Sequence, residues 1–132
     1  MTRIFVIYAE EDHLCFDRLN EQARTARLSA EFDRMQVKQP WVPMWKTQCR
    51  TRVFACDGAI VFLSKRTQQG IGISWELECA RESQTPMLGV HVDKHEKGAV
   101  PDELRGSPLI EWSWPEIARF IQSLTNSMYT SV

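Results

Sequence analysis

Three short, unbroken apolar runs constrain this chain more than any other feature: Ile4-Phe5-Val6-Ile7-Tyr8, Ala59-Ile60-Val61-Phe62-Leu63 and Met87-Leu88-Gly89-Val90-His91-Val92. Runs of this length without polar alternation are the pattern of strands covered on both faces. Amphipathic stretches lie between them. Cys15, Leu19, Ala23 and Ala26 recur at helical spacing, with Asp17, Arg18, Glu21, Gln22 and Arg24 on the other face. Cys49, Val53 and Cys56 repeat likewise over Thr47 to Cys56, and Ile73, Leu77 and Ala80 over Ile73 to Ser83. Buried strands alternating with helices need crossover connections, and crossovers give a parallel sheet.

The other segments fit the same plan. Met35 to Lys46 carries Pro40 and Pro43 among Trp41, Met44 and Trp45, so a short strand followed by a loop is expected there rather than regular helix. Pro86 stops the helix before it, and Asp93 to Gly106 reads as a loop with one helical turn. Leu109-Ile110 supplies a short final strand. Ser113-Trp114-Pro115-Glu116 is a capping box with proline in the first turn, opening a helix along Trp114, Ile117, Ala118, Ile121 and Leu124. The expected architecture is one α/β domain over 1–126, a three-layer sandwich around a five-stranded parallel sheet, with a flexible tail at 127–132.

Composition narrows the function. With 16 basic against 17 acidic side chains, no global field draws in nucleic acid or an anionic membrane. The four cysteines form no CxxC pair and no cysteine–histidine cluster of zinc-site spacing, so no metal is expected. No run approaches the roughly 20 apolar residues of a membrane span. The N-terminal run is too short for a signal peptide, which leads to the expectation of a cytoplasmic protein with reduced thiols.

In open parallel sheets, ligands bind beyond the carboxyl ends of the strands. That rule selects Tyr8 to His13, Ser64 to Gly72 and the residues after Val92. The helix at Ile73 is the most informative neighbour. At about 100° per residue, Glu76 falls beside the stripe of Ile73, Leu77 and Ala80, whereas Glu78 and Glu82 project to the opposite side. A carboxylate at the core margin, one turn into a helix that starts at the rim, is placed to be partly desolvated and to meet a ligand. The bland alternative is a carboxylate that merely favours the helix N-terminus.

These residues also carry a resemblance. Ile4-Phe5-Val6-Ile7-Tyr8-Ala9-Glu10-Glu11-Asp12 is similar to the first-strand box of the TIR domain, and Ala59-Ile60-Val61-Phe62-Leu63-Ser64 to its third strand. Ser74-Trp75-Glu76-Leu77-Glu78-Cys79-Ala80 and the following Pro86-Met87-Leu88-Gly89-Val90 resemble its glutamate helix and fourth strand. The chain resembles in particular the bacterial TIR-like branch, which includes the compact TIR proteins of Thoeris antiphage defence. The resemblance implies a flavodoxin-like fold. It further implies cleavage of the nicotinamide–ribose bond of NAD, to linear or cyclic ADP-ribose, with NAD as substrate and no cofactor.

It also implies roles. Glu76, four residues before the small Ala80, corresponds to the essential glutamate. In many enzymatic members a tryptophan lies four residues before that glutamate; here Trp75 is its immediate neighbour, and a two-residue slip would make Glu78 the counterpart. Tyr8 and Ala9 match pocket positions, with a buried core tyrosine as the alternative for Tyr8, and Asp12 fits a loop-fixing role. Ser64 and Trp75 belong to the matching rim. Trp45 and Lys46, with Trp41, fall in the region of the family's BB loop, which gates the site and mediates self-association; an ordinary hydrophobic cluster explains them equally. A separate effector sensing the nucleotide product is the implied partner. A non-enzymatic adaptor module is the competing function.

Overall fold

Each of the three apolar runs forms an inner strand of one sheet. In the computed structural model, which describes the backbone of residues 1–130 and the side chains of residues 1–125, β1 spans Thr2–Ile7, β3 Gly58–Leu63 and β4 Met87–His91. Every residue of β3 is buried, as its lack of any polar residue requires. The outer strands are β2 (Ala30–Asp33) and β5 (Leu109–Glu111), both partly exposed. All four pairings are parallel and the order is β2-β1-β3-β4-β5. This is the flavodoxin-like α/β sandwich expected from the sequence.

Strand alternation divides the core into two layers. Phe5, Ile7, Ala59, Val61 and Leu63 face one side, where they meet Cys49 and Val53 of α2 (Pro43–Phe54) and Ile73, Leu77 and Ala80 of α3 (Ile73–Glu82). Ile4, Val6, Tyr8, Ile60 and Phe62 face the other, packing on Leu19 of α1 (His13–Thr25) and on Ile117, Ile121 and Leu124 of α4 (Trp114–Thr130). Residues 131–132 and the side chains of 126–130 lie outside the described residues; of the tail expected at 127–132, the backbone of 127–130 continues α4 and 131–132 lie outside. Among the described residues, no helix is long and apolar enough to cross a membrane.

Two expectations need correction. The second strand precedes Met35 instead of following it: Ala30-Glu31-Phe32-Asp33 pairs with β1 only, and an edge strand needs no continuous apolar run. Helix α2 begins at Pro43, four residues before the expected Thr47, because a proline in the first turn forfeits no intrahelical hydrogen bond. Trp45 and Lys46 are therefore helical, and the irregular segment between β2 and α2 is the strap 34–42.

Candidate functional site

The chain leaves β1 for β2 on one side and returns to β3 on the other, so the topological switch point lies between β1 and β3. A cleft of about 490 Å³ opens there, lined by Glu10 and Glu11 after β1, by Gln36, Val37 and Lys38 of the strap, and by Gln69, Gly70 and Ile71 ahead of α3.

Glu76 lies behind this cleft in the first turn of α3. Gly72, with φ of 80°, turns the chain into the helix, and its carbonyl accepts the Glu76 N–H at 3.1 Å. Glu76 is 0% exposed, more deeply buried than the core-margin position expected from its place beside the Ile73–Leu77–Ala80 stripe. The Lys38 ammonium donates to Oε2 at 2.6 Å, whereas Oε1 has no hydrogen-bond partner among the described residues. Burial pushes the Glu76 carboxyl up to about 7, and the Lys38 charge opposes that rise without cancelling it. The buried Cys49 thiol of α2 is also pushed up, first by desolvation and then by the charge of Glu76. Glu78 is exposed, which separates the two carboxylates.

Lys38 was not singled out by the sequence. Its only signal there is a single cation in the segment Met35-Gln36-Val37-Lys38-Gln39-Pro40-Trp41, and any solvent-facing lysine looks the same. Its pairing with Glu76 spans 38 residues and exists only once α3 and the strap are docked.

The other expected residues divide into three groups. Trp45 belongs with Glu76: it is buried in the same layer, its indole N–H donates to the Val37 carbonyl, and it covers Gly72. Ala9 is buried on that sheet face as well. Asp12 and Ser64 form a separate buried pair joining the loops after β1 and β3. Ser64 Oγ donates to Asp12 Oδ2 at 2.7 Å, and the Arg66 guanidinium donates twice to Oδ1, at 2.7 and 3.2 Å. On the outer surface, Trp75 Nε1 donates to the Lys46 carbonyl at 3.1 Å, with the Lys46 ammonium and Arg50 guanidinium 4.7 and 5.0 Å from its ring centroid.

Tyr8 does not join Glu76. Alternation turns its ring to the α1/α4 side, where it stacks on Phe16 at 5.6 Å and packs against Phe62, and its hydroxyl is bonded by Arg34. Its neighbour Ala9 faces the opposite layer for the same geometric reason.

Comparison with known proteins finds no matching family model and no matching curated protein. Solved structures do match. The SEFIR domain of IL-17 receptor B superposes with a TM-score of 0.61 at 12% identity, covering 95% of each chain. A CMP N-glycosidase of Clostridium botulinum matches at 0.57 and 15% identity, over 92% of this chain and 99% of that one. A 3-dehydroquinate dehydratase-like protein of Bifidobacterium longum matches at 0.57 and 11%, over 97% and 98%. The chain thus has a TIR-like, flavodoxin-like fold.

Proposed function

We propose that the chain is a TIR-like enzyme that cleaves the bond between nicotinamide and ribose in NAD, with Glu76 as its catalytic residue. The observation that carries this reading is the buried Glu76 carboxylate at the switch point, one oxygen of which lacks a partner. A desolvated carboxylate beside a cleft is suited to stabilise positive charge that develops nearby.

In the reaction the C1′–N bond breaks, its electron pair goes to the pyridinium nitrogen, and nicotinamide departs neutral. No general acid is needed for that leaving group. The oxocarbenium character at C1′ is met by the Glu76 carboxylate, whose second oxygen orients a ribose hydroxyl. Capture of C1′ by water, with loss of a proton to solvent, gives ADP-ribose. Capture by a nucleophilic atom of the same molecule gives a cyclic product, which would act on a separate effector in a cytoplasmic antiphage response. Ala9, Trp45, Lys46, Ser64, Trp75 and Asp12 shape the site in this reading, directly or through the loops they fix; Tyr8 is left to the core. That a CMP N-glycosidase shares the fold supports an N-glycosidic reaction on this scaffold.

Val37, Trp41, Met44 and Ile71 stand exposed around the strap and the cleft. This apolar rim favours self-association through the strap region, and it also sustains the reading of a non-enzymatic adaptor. Incubating concentrated protein with NAD, followed by chromatography and mass analysis, separates the two. Nicotinamide release that Glu76→Gln abolishes and Glu78→Gln retains supports the enzyme, and the product mass distinguishes hydrolysis from cyclisation. Intact NAD at every protein concentration supports the adaptor.

A further inference from the structure

Lys38 joins the cleft to the buried carboxylate behind it. It lines the cleft while its ammonium occupies Glu76 Oε2, so a molecule in the cleft that is to bond that oxygen has to displace the ammonium. Resting on the proposed enzymatic reading of this site, we infer that Lys38 holds the place of the substrate's cationic group, which makes the site selective for N-ribosides of a positively charged base over neutral nucleotides.

The argument is electrostatic. If Lys38 withdraws and nothing replaces it, Glu76 is a fully buried carboxylate with neither oxygen partnered, which either bears a strongly disfavoured charge or takes up a proton and loses the charge that the reaction needs. A neutral guest leaves that deficit in place. A guest carrying positive charge cancels it, so opening becomes an exchange of one cation for another on the same carboxylate. Glu10 and Glu11 on the cleft wall add negative charge at the mouth, which favours a cationic guest and receives the released ammonium.

The strap is built to permit the exchange. Residues 34–42 contain no helix or strand, and the bonds that tie them to the rest of the chain lie on either side of Lys38, at Arg34 (to the Tyr8 hydroxyl, and from Arg52 to its carbonyl at 3.2 Å) and at the Val37 carbonyl (from Trp45 Nε1), so the Lys38 side chain can turn away while the strap stays docked. A lysine suits this role because its flexible stem swings a point charge without the paired hydrogen bonds an arginine fork would have to break.

The test uses binding to the full chain, read by titration calorimetry. The probes are 1-methylnicotinamide, which carries the fixed charge and has no ribosyl bond to cleave, and neutral nicotinamide. The wild type is expected to prefer the cation by about tenfold, and Lys38→Met to bind the cation about tenfold more tightly than the wild type with the neutral probe unchanged. Glu76→Gln is expected to lose the preference. Lys38→Gln serves as a second variant, and circular dichroism fixes the folded fraction in each. Equal or undetectable binding of the two probes by wild type, or a cation affinity that Lys38→Met and Lys38→Gln leave unchanged or weakened, overturns the inference. Charge-selective binding without NAD cleavage would reject the enzymatic reading alone, whereas Glu76-dependent cleavage with no effect of Lys38 on cation binding would reject this inference alone.

Discussion

Gly72 lies beneath the indole of Trp45, so close that a Cβ on it would stand 2.9 Å from the ring's Cη2 and 3.5 Å from Cδ of Lys38. With φ of 80°, the same residue turns the chain into α3 and fixes where Glu76 emerges. Only glycine takes that conformation without strain. Gly72→Ala is therefore expected to destabilise the fold by about 1–2 kcal/mol through the backbone alone, with more from the displaced ring. Urea unfolding measures it, and an unchanged midpoint would mean that the indole and the helix entry yield freely.

Asp12 gathers the rim in a different way. Its buried carboxylate receives Ser64 from the β3 loop and two bonds from Arg66, so its removal orphans a buried hydroxyl and releases a guanidinium. Asp12→Ala should lose about 1–3 kcal/mol, the usual range for leaving buried polar partners unsatisfied. Arg66→Ala should behave similarly, and the double variant should lose less than the sum, since both changes break one network. Additive losses in urea titrations would show that the two residues act independently.

How much of this was legible depended on how local the cause was. The inner strands and Glu76 were readable because apolar runs and helical periodicity are properties of neighbouring residues: the same spacing that places Leu77 and Ala80 in the core places Glu76 at its edge. Strand β2 was not, because Ala-Glu-Phe-Asp at a sheet edge is half exposed and looks like loop. The start of α2 was missed because Pro43 serves as a first-turn residue and not as a breaker. Lys38 had no local signature at all, since its meaning comes from a carboxylate 38 residues away. Tyr8 was the converse case: strand alternation alone sets its ring and the Ala9 side chain on opposite faces, and a motif match does not carry that sign.

That placement yields its own test. Because the Tyr8 ring packs with Phe16 and Phe62 and its hydroxyl takes a bond from Arg34, Tyr8→Phe should cost about 1 kcal/mol of stability, the worth of one hydrogen bond. On the proposed reaction, KM and kcat for NAD should stay within about twofold of the wild type, less than 0.5 kcal/mol of transition-state binding. A tenfold rise in KM for the folded variant, which is about 1.4 kcal/mol, would instead put the ring in contact with substrate.

Glu76 ties stability and activity to one titration. Desolvation raises its pKa from the ordinary 4.5 to about 7 in the folded chain, so between those values the folded state holds a proton that the unfolded state has released. The resulting stability is fully present below about pH 4.5 and is lost as pH rises through 7, a decline on the order of 3 kcal/mol. Glu76→Gln lacks the titrating group, so its urea midpoint should fall less than that of the wild type across the same window, whatever the offset between them. Catalysis should run the other way, because only the ionised carboxylate stabilises the oxocarbenium: nicotinamide release should climb with pH through about 7 and then level off. The Cys49 thiol on α2 faces the same carboxylate, but burial holds it far above this window, so it stays neutral and adds nothing to the difference between wild type and Glu76→Gln. Parallel stability profiles for wild type and Glu76→Gln would mean that the carboxyl titrates near its ordinary value and that water reaches it in solution.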